Sequence, residues 1–290
     1  MLIESKYTAL FDLLGKIEQC GFAIDKELVV KKILVFAPHP DDAEFYAGGL
    51  IASLVAAGNK VKILTITDGW CGSYHHTQME LGQIRQKEAI QAAEIMGTEV
   101  AFLGYHDFTL DTLPAGELRE KLIRCIRMEK PDTVITIDPM ATNEAHPDHR
   151  ALARAGGDAV AHSGLPLVYP EHISDGLDAH FVPEKYFYSD DPARYNQFID
   201  ITAHIGMKLE GMRAHQSQVE FLVEDVARQA QLAGLDIQTL LGETAQNPFQ
   251  ALSFAIMSQA ERVGSLAGYK YGEGYRYARF HAFVEELLAQ

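Results

Sequence analysis

Four short apolar runs recur along the first half of the chain: Ile33–Ala37, Val61–Thr67, Val100–Gly104 and Thr133–Ile137. Charged or turn-forming residues bound them, as Lys31, Lys32 and Pro38 bound the first, which is the pattern of strands buried on both faces. Helical spacing fills the intervals: 47–57, then 80–96 with Leu81, Ile84, Ala92 and Ile95, then 116–129 with Leu118, Leu122, Ile123 and Ile126. Strands separated by such helices need crossover connections, so the pattern predicts an α/β fold, a Rossmann-like, mostly parallel sheet with helices on both faces. Further on, 185–189 and 197–201 read as edge strands, 203–215 as a long helix, 219–264 as helical, and 264–279 as loop plus a terminal element. Ahead of the first strand, Leu10, Leu13, Leu14 and Ile17 mark a short amphipathic arm. The expected organisation is a single domain over 1–290, with an arm at 1–29, an α/β core at 30–218 and a helical and loop appendage at 219–290.

Composition narrows the classes. A chain of 290 residues, 47% hydrophobic, buries one large core. Its 25 Lys and Arg against 40 Asp and Glu give a net charge of −15, which repels nucleic acid and anionic membranes and favours a neutral or cationic small substrate. No secretory signal pattern and no bilayer-length apolar stretch is evident, so a cytoplasmic protein is expected. Cys20, Cys71 and Cys125 are odd in number and far apart, against both a disulfide framework and a thiolate zinc site. The apolar arm and the cluster Tyr269, Tyr271, Tyr275 and Tyr277 offer surfaces for a homo-oligomer, and the tyrosines equally suit packing or a sugar ring.

Two motifs follow strand ends: Pro38-His39-Pro40-Asp41-Asp42 after the first strand and His146-Pro147-Asp148-His149 after the fourth. In a doubly wound sheet these strands adjoin at the switch point, where diverging loops leave a ligand crevice. His39, Asp42 and His149 make a three-ligand set of the kind that holds catalytic zinc, although spacing alone leaves the choice between His149 and His146 open. Iron(II) would satisfy the same donors. Asp41, beside a ligand but unable to share its direction, suits a general base. His146 suits an imidazolium that stabilises an oxyanion or protonates a leaving amine, with Asp148 orienting and charging it. A phosphoesterase would want more carboxylates for a second metal, and a non-catalytic sugar- or nucleotide-binding module would have no use for a spare Asp41.

At these residues the sequence resembles the PIG-L/LmbE family of metal-dependent deacetylases, with motifs HPDD and HPDH, over most of 31–218. Thr67-Asp68-Gly69, Ile84-Arg85-Gln86-Lys87-Glu88, Tyr105-His106-Asp107 and His215-Gln216-Ser217-Gln218 extend the resemblance. It implies zinc on His39, Asp42 and His149, the base at Asp41 and the charge-stabilising histidine at His146. The arm, the Tyr-His-Asp segment and 271–276 look most like archaeal diacetylchitobiose deacetylases, which implies Arg85 and Asp107 on sugar hydroxyls. From the residues alone, Arg85 could instead pair with Glu88 across one helical turn, and Asp107 could be a turn residue. Cys71, His75 and His76 read as loop residues near the mouth. The expected substrate is a small N-acetylated amino sugar, and 219–263, without a visible counterpart, is expected to shape its entrance.

Overall fold

The computed structural model describes residues 30–235, 247–280 and 284. The helical arm expected at 1–29 lies outside them, as do 236–246 of the segment expected to shape the entrance. The described residues from Lys31 onward form one compact unit.

Its strands are β1 (Lys32–Ala37), β2 (Lys60–Thr67), β3 (Glu99–Tyr105), β4 (Thr133–Ile137), β5 (Glu184–Tyr188), β6 (Gln197–Asp200) and β7 (Gly272–Ala278). The helices are α1 (Asp42–Ala56), α2 (Gln78–Met96), α3 (Glu117–Glu129), α4 (Pro147–His162), α5 (Pro170–Ser174), α6 (Ile205–Ala214), α7 (Gln216–Leu232) and α8 (Pro248–Ser265). The sheet order is β3-β2-β1-β4-β5-β7-β6. From β3 to β5 every neighbour is parallel, whereas β7 runs antiparallel to both β5 and β6. β1 and β4 are neighbours, with Val35 opposite Ile135, so the loops leaving their carboxyl ends diverge at the switch point.

Burial follows the apolar runs. Every residue of β4, and every residue of β1 after Lys32, is buried. Thr77 starts α2 with a capping box completed by Glu80, and Gly97 ends it in the left-handed region.

The last third differs from expectation. β5 is interior rather than an edge, because β7, drawn from the stretch read as loop plus a terminal element, inserts between it and β6. Glycine hides this strand: a Cβ on Gly272 would meet the Gly264 Cα of α8 at 2.7 Å, and one on Gly274 would meet the Tyr195 ring at 2.1 Å. Close backbone approach, not β propensity, selects these residues. β7 is tied to α1 by Glu273, whose buried carboxylate accepts from the Gly49 and Leu50 amides, Lys208 Nζ and the Tyr275 hydroxyl at 2.6–2.9 Å.

Candidate metal centre and active site

The turn between β1 and α1 carries His39, Asp41 and Asp42. Asp42 folds back to accept from the His39 amide at 2.9 Å, and Asp41 sits at φ 124°, a strained value for any residue but glycine. Across the switch point α4 starts at Pro147, with His146 as its N-cap: Nδ1 accepts from the Asp148 amide at 3.2 Å.

These two loops bring three donor atoms into a triangle. His39 Nδ1 lies 3.1 Å from both Asp42 Oδ2 and His149 Nε2, and the latter two are 3.3 Å apart. Donors of a tetrahedral zinc with bonds of about 2.0–2.1 Å lie about 3.3–3.4 Å apart, so the triangle fits such an ion with one side open. The remaining nitrogen of each histidine faces a carboxylate. His39 Nε2 is 3.0 Å from Asp107 Oδ1, and His149 Nδ1 is 3.0 Å from Glu144 Oε2. Those partners fix the tautomers that leave His39 Nδ1 and His149 Nε2 free to bind a cation. Burial alone would lower the His39 pKa, but Asp107, Asp148 and Asp42 hold it well above the ordinary value, the mark of a site that calls for positive charge. His146 lies close to both ligand histidines, and with His39, Asp107 and Asp148 it forms a second cluster on the Nε2 side of His39, but its Nδ1 is occupied by the helix amide.

Arg85 and Asp107, which the resemblance placed on sugar hydroxyls, both make contacts within the protein. Arg85 is 3% exposed and donates to Asp41 Oδ1 at 2.9 Å, to the Gly69 carbonyl at 2.8 Å and to the Pro40 carbonyl. It does not pair with Glu88, whose carboxylate accepts from the Ser217 amide and hydroxyl at 2.7 and 2.6 Å. Asp107 is 4% exposed, spent on His39 and on the Cys71 amide. The Asp148 charge acts on His146, but its carboxylate makes no hydrogen bond to that ring among the described residues. Its oxygens accept from the Phe108 and Leu110 amides at 2.7 and 3.0 Å, fastening the loop that carries Asp107.

Burial, with the His39 and His149 charges, lowers the His146 pKa, against the pull of Asp107 and Asp148. Burial raises the Asp41 carboxyl to about 6, against the pull of Arg85.

Comparison with known proteins gives the family. Residues 34–160 match the family model described as PIG-L, GlcNAc-PI de-N-acetylase. The diacetylchitobiose deacetylase of Thermococcus kodakarensis is 36% identical over 192 residues, 65% of this chain and 70% of that protein. The chain belongs to the PIG-L family. A second member, named "Probable N-acetyl-alpha-D-glucosaminyl L-malate deacetylase 2", from Bacillus cereus, is 30% identical over 219 residues, 72% of this chain and 93% of that protein. The structure of N,N'-diacetylchitobiose deacetylase from Pyrococcus horikoshii superposes with a TM-score of 0.70 at 28% identity, covering 94% of this chain and 92% of that one.

Within this member of the family, sequence reasoning missed Glu144. The signal was present as a carboxylate two residues ahead of His146, in the loop the motif already singled out. The motif segments are also one another's partners: Ser217 donates to Glu88, and His106 Nδ1 lies 2.6 Å from Asp68 Oδ2. Cys71, His75 and His76 belong to a loop strapped onto α7, where His75 meets Glu224 at 2.7 Å and the Tyr74 hydroxyl meets Asp225 at 2.6 Å. No helix among the described residues is long and apolar enough to cross a membrane.

Proposed function

We propose that this protein is a zinc-dependent N-deacetylase of an N-acetylglucosamine-type sugar, releasing acetate and a free amine. The observation that carries the reading is the open triangle of His39, Asp42 and His149 with the unshared carboxylate of Asp41 beside it. Those three residues would hold the ion, which when bound polarises the acyl carbonyl and acidifies water.

The other groups divide the proton work. Asp41, ionised and held by Arg85, accepts the proton of the attacking water. His146 presents Nε2–H to the oxyanion that develops on the acyl carbon. Asp107 and Glu144 keep the two ligand histidines in the tautomer that binds metal. Collapse of the tetrahedral species expels the amine, and the proton taken by Asp41 is available to it.

Relatives named for a disaccharide and for a malate conjugate support the amino-sugar class and leave the group beyond the sugar to be found. Metal analysis of two variants tests the division of labour. His149→Ala is expected to lose bound zinc, while His146→Ala keeps it and loses rate; the reverse result would exchange their roles.

A further inference from the structure

A second cleft, of about 440 Å³, lies between the start of α3, the 110–116 loop and one face of α4. The α4 residues that line it, Pro147, Arg150, Ala151, Arg154, Ala155 and Asp158, recur at helical spacing, so one stripe of the helix forms a wall. Arg150 and Arg154 project from it one turn apart, and Arg119 enters from α3.

Their partners are unequal. Arg119 takes the one acid on this stripe, Asp158, at 3.1 Å. Among the described residues Arg150 donates only to the backbone carbonyls of Glu144 and Ala145 and has no counter-ion. Arg154 is exposed and makes no hydrogen bond or ion pair among the described residues. Like charges one turn apart oppose each other on a helix, and among the described residues no acid forms an ion pair with either of them. Asp111 lines the opposite wall without forming an ion pair among the described residues. In a chain of net charge −15, two uncompensated guanidiniums in a concave site stand against the general field.

We infer that this cleft binds a small anion bearing carboxylate or phosphate groups, held by Arg150 and Arg154. Guanidinium forks match such groups in planar, two-point geometry. The size of the cleft and the acidity of the rest of the chain suit a small molecule and not a polyanion such as nucleic acid. The anion has two possible sources, a free metabolite or the charged end of a conjugated substrate. Because Arg150 also holds the carbonyls of Glu144 and Ala145, occupancy would steady the segment that leads into His146 and His149.

The test is calorimetric titration of the metal-loaded protein with inorganic phosphate and with succinate, at ionic strength matched by chloride. One anion per chain is expected to bind, with affinity falling at least about tenfold in Arg154→Gln and in Arg150→Gln. Arg154→Gln removes no contact among the described residues, so its melting curve should match that of the parent without added anion. Equal affinity in the parent and in Arg154→Gln would put the ion elsewhere, the metal centre included, and overturn the assignment. Heats no larger than those of chloride would overturn it as well. Kinetics on a neutral N-acetylated disaccharide then separate the sources: competition by phosphate points to the charged end of a substrate, and its absence to a free anion.

Discussion

Asp41 is held in a backbone conformation that costs about 1–3 kcal/mol for a residue with a side chain, and its carboxylate is aimed by Arg85. Substituting Asp41→Asn keeps the shape and removes the base. Turnover is expected to fall about 10²–10⁴-fold with metal content unchanged, and a variant that loses its metal would contradict the role. The pH dependence follows in sign. A base works ionised, so the rate falls as acid protonates it; burial puts that step at about 6, and a cation in the neighbouring triangle can only lower it. The acid limb of kcat/KM is therefore expected at or below about pH 6, and a limb above pH 7 would contradict the assignment. Arg85→Gln separates positioning from sugar binding. It is expected to lower kcat and move the acid limb upward, whereas a change confined to KM would restore the contact with sugar hydroxyls that the resemblance implied. That His39 and Asp42 face the histidines of the second motif was legible in the sequence because two compact motifs carry them, while the choice between His146 and His149 was not a matter of spacing. The work of Arg85 was not legible, because its partners are 16 and about 45 positions away along the chain.

Among the elements, the two loops after β1 and β4 bring the donors, while their support comes from three other segments. The β3–α3 loop contributes Asp107, the loop before α4 contributes Glu144, and β7 contributes Glu273. Asp107→Asn and Glu144→Gln are each expected to weaken zinc binding about 10–100-fold, measured by competition with a chelator; unchanged affinity would deny them the tautomer-fixing role. Glu273 acts on stability. Glu273→Ala leaves Lys208 as a buried, unpaired cation and strips two α1 amides of their acceptor, so denaturant unfolding should show a loss of about 3–5 kcal/mol. A loss under about 1 kcal/mol would mean that water enters and replaces the carboxylate. The first four strands were readable because burial on both faces forces continuous apolar runs. β7 was not, because it is held by glycine contacts and a polar cluster, which in sequence look like a loop.

Across the whole molecule, strand order places the HPDD and HPDH motifs side by side, and that juxtaposition follows from the α/β pattern alone once β1 and β4 are neighbours. The last third of the chain escaped the same logic. It combines a strand inserted antiparallel into the sheet with α7 laid against the loop after β2, and neither arrangement has a periodic signature of its own. Net charge is a mean over the whole chain, and that mean conceals the arginine-lined cleft beside α4. The most direct test of the central claim is release of acetate and free amine by zinc-loaded protein, with a chelated control. The panel would hold N-acetylglucosamine, diacetylchitobiose and N-acetylglucosaminyl conjugates. Equimolar acetate and amine from at least one member, abolished by the chelator and restored by zinc, is the predicted result. With one zinc per chain verified, silence across the panel, or release that persists without metal, would contradict it.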